Sequence, residues 1–128
     1  MSTSFKFERR VSYYDTDAMG IVHHSNYVRY FEDARVAWMR ESGLADYHAP
    51  KGPFTFAVHE LSLNYKKPLR FDDLFSVTLT VQLDGLRLRF DYVITLGGDR
   101  VADGRTVLIP LDAKFRPARL PQAARDLF

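Results

Sequence analysis

Hydrophobic positions change their period twice along the chain. Over residues 5–13 the apolar side chains Phe5, Phe7, Val11 and Tyr13 all fall on odd positions, the alternation of a strand with one buried face. Residues 15–27, DTDAMGIVHHSNY, are polar, contain a glycine and hold no clean period, which predicts a loop leading into a helix. From Tyr27 the spacing becomes three and four, through Tyr30, Phe31, Ala34, Trp38 and Glu41. All but the last are apolar or amphipathic, so the pattern predicts a helix over 27–42 with one broad buried stripe. Ser25 or Asn26 can serve as its N-cap, and Gly43 is suited to end it.

After an irregular segment at 44–53, broken by Pro50, Gly52 and Pro53, the pattern is strand-like as far as residue 111. Residues 55–65 carry apolar side chains on both parities: Phe56 and Val58, then Leu61, Leu63 and Tyr65. A strand covered on both faces would read this way. Residues 74–83 and 86–96 alternate cleanly, and Asp84-Gly85 between them reads as a two-residue type I′ hairpin. Gly97-Gly98-Asp99 marks the next turn, before a strand over 100–111. The last 17 residues hold Pro117 and Pro121 and predict a surface tail with a short helix after Pro121.

The predicted order is strand, one long helix, then four strands in a meander. That is an α+β architecture, with the helix on one face of an antiparallel sheet of about five strands. The other sheet face carries Arg87, Arg89, Asp91, Thr78 and Thr80 and is predicted to meet solvent. Long edge strands are a liability unless paired, so a second copy is expected against an edge. A length of 128 residues supports a single domain over 1–128.

Composition narrows the function classes. With no cysteine there is no disulfide scaffold, no thiol nucleophile and no thiolate metal site. The net charge of +2 is too small and too dispersed for a nucleic-acid binder. The start, MSTSFKFERR, lacks the apolar run of a secretory signal. No stretch approaches the roughly 20 apolar residues of a membrane-spanning helix, so the expected location is cytoplasmic, with no transmembrane segment.

Reactive side chains are densest at 13–27: Asp15 and Asp17 flank Thr16, and His23, His24, Ser25, Asn26 and Tyr27 follow. Taken alone, Asp-x-Asp in a loop is commonly turn chemistry, and a histidine pair before a helix is commonly polar surface. Asp17, His23 and His24 could each ligate zinc. Adjacent histidines point apart, however, and no H-x-x-x-H or H-E-x-x-H spacing is present. No metal and no cofactor are expected.

The segment DTDAMGIVHHSNYVRYFEDAR, residues 15–35, resembles the signature of the hotdog-fold acyl-CoA thioesterases. The type is that of 4-hydroxybenzoyl-CoA thioesterase, including the acyl-CoA thioesterases associated with the bacterial Tol–Pal system. The likeness extends to Tyr13-Tyr14, to LNYKKPLRFDD at 63–73, to Lys114-Phe115-Arg116-Pro117 and to Leu120-Pro121. It implies a hotdog fold and hydrolysis of an acyl-CoA thioester to a carboxylate and free CoA. Asp17 matches the catalytic carboxylate, and Asp15 a less direct position. His24 matches the histidine of the Tol–Pal-associated group. The 4-hydroxybenzoyl-CoA enzyme is aromatic there, so an acyl-chain substrate is favoured over an aromatic one.

The resemblance also implies that a backbone N–H near the helix start polarises the thioester carbonyl. The corresponding region is Val22 to Ser25, with Gly20, His23 and Asn26 around it. The physical logic holds: amides at a helix N-terminus are unpaired and sit at the positive end of the dipole, suited to a developing oxyanion. Asp17 could attack directly or act as a base on water. Lys66, Lys67, Arg87 and Arg89 read either as solvated charges or as contacts to the CoA phosphates. A homo-oligomer, dimer or tetramer, is implied, and an acyl carrier protein or an envelope-system component stays open as a partner. Two alternatives remain: a hotdog hydratase or dehydratase, and a non-catalytic acyl-CoA-binding or scaffolding subunit.

Overall fold

The computed structural model describes residues 2–128. In chain order the elements are β1 (Ser2–Arg10), a 3₁₀ turn (Tyr13–Asp15), α1 (Asn26–Ser42) and a second 3₁₀ turn (Leu44–Tyr47). Then come β2 (Thr55–Tyr65), β3 (Leu74–Asp84), β4 (Arg87–Leu96), β5 (Asp99–Leu111) and α2 (Gln122–Arg125). The five strands form one antiparallel sheet in the order β1-β3-β4-β5-β2.

The sheet's inner face is built from alternate residues, as the pleat requires. Phe75, Val77, Leu79 and Val81 of β3 and Leu88, Phe90, Tyr92 and Ile94 of β4 are all buried. α1 lays Tyr30, Phe31, Ala34 and Trp38 on them. Phe31 stacks on Tyr92 with ring centroids 4.2 Å apart, and Trp38 meets Phe90 edge-on at 5.7 Å. Each such side chain contributes about 1.5–3 kcal/mol by burial, which is what holds a 17-residue helix against the sheet. Gly43 ends α1 at φ 89°, in the left-handed conformation expected of it.

Several expectations are corrected. β1 stops at Arg10, and Tyr13 lies exposed in the 3₁₀ turn instead of continuing the strand. The Asp15 carboxylate accepts the Ser12 N–H at 3.0 Å and closes that turn. Only β3, β4 and β5 form a meander. β2 pairs with β5 at the sheet edge, and segment 66–73 crosses back to β3.

β2 is not covered on both faces. A bulge at His59, between Val58 and Glu60, shifts its register by one residue. Phe56 and Val58 before the bulge pair with Pro110 and Leu108, while Leu61 and Leu63 after it pair with Thr106 and Gly104. Both sets therefore face the helix, and the change of parity is a bulge rather than a second buried face. The β3–β4 hairpin turns through Gly85-Leu86 with Asp84 paired to Arg87. Only Gly85 has positive φ, which is the type II′ pattern; the type I′ pair is Gly97-Gly98, at φ 57° and 86°. The tail is not simply surface: Leu120, Ala124 and Phe128 are buried, and Phe128 packs against Trp38 at 5.8 Å.

Candidate active site

The loop before α1 folds back on itself. Thr16 bridges Val22, the Asp17 N–H donates to the Ile21 carbonyl at 2.9 Å, and the Gly20 N–H donates to the Asp17 carbonyl at 3.0 Å. Gly20 closes this turn at φ 78°, a conformation side chains with a Cβ rarely adopt. Segment 66–73 lies alongside: the Val22 N–H donates to the Leu69 carbonyl at 2.8 Å, and Ile21 bridges Arg70. The crossover from β2 to β3 thus becomes one wall of the site.

Between these walls is an open pocket of about 370 Å³. Asp17, Met19, Ile21, Val22, His24 and Tyr27 line it from the loop and helix, and Tyr65, Lys66, Lys67 and Pro68 from the end of β2 and the crossover. Asp17 Oδ1 accepts the Met19 N–H at 2.8 Å. Its other carboxylate oxygen has no hydrogen-bond or ion-pair partner among the described residues, so this half-buried side chain is oriented by one bond.

The amides at the helix entrance divide sharply. The Val22 N–H is taken by Leu69, and the His23 N–H by the Asp15 carbonyl at 2.9 Å. The Ser25 N–H donates to His23 Nδ1 at 3.2 Å. The His24 N–H has no partner among the described residues. It sits just before the N-cap Ser25, whose own side chain makes no capping bond. This free amide lies at the positive end of α1, a position whose electrostatics favour negative charge. The Tyr65 hydroxyl donates to the His24 carbonyl at 2.8 Å and fixes that peptide from the β2 side. Burial pushes the Tyr65 phenol up, so it remains a donor. The His24 ring lies against the His23 ring at 4.1 Å.

Residues 11–128 match the thioesterase-like superfamily. The chain belongs to that family. It is a thioester hydrolase of the hotdog fold. It is 30% identical over 127 residues to the acyl-CoA thioester hydrolase YbgC of Escherichia coli O6:H1, covering 95% of this chain and 93% of that one. A crystal structure of an Aquifex aeolicus protein superimposes with a TM-score of 0.89 at 33% identity, over 96% of this chain and 98% of the other. The DHNA-CoA thioesterase of Staphylococcus aureus gives a TM-score of 0.87 at 29% identity, over 96% and 85%.

Of the residues singled out in the sequence, Asp17, Val22, His24, Tyr27, Lys66 and Lys67 come together in the pocket, with Gly20 shaping its loop. His23 and Ser25 bond to one another beside it, with 2.8 Å between His23 Nδ1 and Ser25 Oγ. Asn26 points inward instead, donating to the Asp15 carbonyl at 2.7 Å. The structure does not bring Arg87 and Arg89 to the pocket. They lie on the sheet face opposite α1, Arg89 at the level of Val107 and Arg87 two residues further away, while the pocket opens at the level of Ala102. That is about 17 Å along the strand for Arg89, and more for Arg87. Arg89 is held there by Gln82 and Asp91. Among the described residues no cluster of three potential metal ligands occurs. Pattern reading missed Tyr65, which arrives through the fold from 41 residues away.

Proposed function

We propose that the chain hydrolyses an acyl-CoA thioester, with Asp17 as nucleophile or general base and the His24 N–H as the donor to the thioester oxygen. The supporting observation is that Asp17 and His24 line one pocket, and that one Asp17 carboxylate oxygen and the His24 backbone amide have no protein partners among the described residues. As the carbonyl carbon becomes tetrahedral its oxygen gains charge, and the His24 amide stabilises it. If Asp17 attacks, its free oxygen bonds to the acyl carbon and CoA leaves as thiolate; water then cleaves the mixed anhydride. If Asp17 acts as a base, it takes a proton from the attacking water and the same thiolate leaves. The His24 imidazole orients water or the carbonyl, and Lys66 meets the carrier's phosphates.

His24 and the identity to YbgC support placement with the Tol–Pal-associated acyl-CoA thioesterases and an acyl-chain substrate. A cytoplasmic location accords with the finding that no described helix is long and apolar enough to cross a membrane. An acyl carrier protein is the other carrier the same chemistry would accept. The working unit is a homo-oligomer. β2 ends the sheet with one edge unpaired, and Val58, Leu61 and Tyr65 on it are about half exposed in the single chain, at 53%, 48% and 51%. Since Tyr65 also lines the pocket, a second copy on β2 would adjoin the site.

The test is release of free thiol from a panel of aliphatic and aromatic acyl-CoAs. Steady turnover on at least one is expected. Tight binding of acyl-CoA without turnover would favour the non-catalytic alternative.

A further inference from the structure

Asp15 carries a buried carboxylate that the proposed chemistry does not use. Only 4% of the residue is exposed. Its Oδ2 accepts from the Tyr30 hydroxyl at 2.8 Å, the Ser12 N–H at 3.0 Å and Arg9 Nη2 at 3.3 Å. Its backbone carbonyl accepts from Asn26 Nδ2 at 2.7 Å and the His23 N–H at 2.9 Å. Arg9 is anchored in turn by Asp33 of α1 at 2.6 Å, and its guanidinium lies over the Tyr30 ring at 4.8 Å. Burial, then the Asp15 carboxylate, pushes the Tyr30 phenol up, so Tyr30 stays a donor throughout the working pH range.

The placement of these bonds matters more than their number. Asp17 lies two residues after Asp15. The free His24 amide lies one residue after the His23 amide that Asp15 holds. One buried residue therefore ties both arms of the loop, and Asn26 ties the same carbonyl to the first turn of α1.

We propose that Asp15 is the positioning residue of the site: the bonds of its side chain to Tyr30, Ser12 and Arg9 fix residue 15, whose backbone carbonyl in turn holds His23 and Asn26, so that the Asp17 carboxylate and the His24 N–H stay in register on one thioester. This inference rests on the roles given above to Asp17 and His24. Asp15 touches no substrate; it acts through the geometry of the two groups that do.

The experiment compares kcat, KM and Tm for Asp15→Ala, Asp15→Asn and Tyr30→Phe, with Asp17→Asn and the packing variant Gly104→Ala as references. Displacing the reacting groups by about 1 Å costs on the order of a hundredfold in rate. Asp15→Ala is expected to lose about that much in kcat with KM changed by less than about twofold, because binding is untouched. Asp15→Asn, which keeps an oxygen for the donors, and Tyr30→Phe should fold and lose about tenfold. A purely structural role would lower Tm without touching kcat, as expected of Gly104→Ala. Wild-type kcat in Asp15→Asn and Tyr30→Phe beside an inactive Asp17→Asn would overturn this inference alone. Wild-type kcat in Asp17→Asn would overturn the reading of the site and this inference with it.

Discussion

Gly20 shows how one backbone angle sustains the site. At φ 78° it sits where an L side chain is strained, yet a Cβ there would meet nothing within 4 Å. Substitution is therefore opposed by conformation and not by crowding. Gly20→Val should cost about 1–2 kcal/mol of stability and, through the Gly20–Asp17 hydrogen bond, about a hundredfold in kcat/KM. Parallel measurement of kcat/KM and Tm checks this. Unchanged activity at a lowered Tm would show that the turn does not set the Asp17 geometry. His24→Ala should cost less than loss of Asp17, because the variant keeps the backbone N–H. The sequence placed Asp17, Gly20 and His24 correctly near one another because they share a short loop. It did not separate the amides of Val22, His23, His24 and Ser25, since three of them are occupied by partners that only the folded loop brings within reach.

Between α1 and the sheet there is a close approach at Gly104 of β5. A Cβ there would lie 2.6 Å from the Phe31 ring and collide with the Ser62 carbonyl of β2. Gly104→Ala should destabilise by about 1–3 kcal/mol through overpacking and lower Tm while leaving kcat near wild type. An unchanged Tm would mean that α1 or β2 shifts freely, contrary to the packing described. The long helix and the β3 and β4 strands were legible because their periods are unbroken and one face of each is apolar. β2 was legible as a strand over 55–65 but its facing was not, because a bulge at His59 moves the apolar set from even to odd positions without changing faces. The neighbour of β2 was equally hidden: hydrophobic alternation assigns a face, whereas strand order depends on where segment 66–73 leads the chain. The tail misled because its buried residues, Leu120, Ala124 and Phe128, are too widely spaced to declare a strand or a long helix.

The folded chain leaves β2 as an open, partly apolar edge, and such an edge calls for a partner. Light scattering should give a mass that is at least twice the 14.8 kDa of one chain. Val58→Asp with Leu61→Asp, which places charge on that edge, should shift the population towards monomer and reduce activity. A monodisperse, fully active wild-type monomer would contradict the shared-edge arrangement. The family, the hotdog fold and the thioester hydrolase activity agree with the motif at 15–35, while the phosphate contacts suggested for Arg87 and Arg89 do not reach the pocket within one chain. The proposed chemistry turns on the free oxygen of Asp17. Asp17→Asn keeps the shape and an oxygen for the Met19 N–H but removes the carboxylate that the proposal makes nucleophile or base. Steady-state release of free CoA by this variant, with circular dichroism and acyl-CoA binding measured on the same sample, should show turnover reduced by at least about a thousandfold with fold and binding intact. Turnover within a few-fold of wild type would contradict the assignment of Asp17.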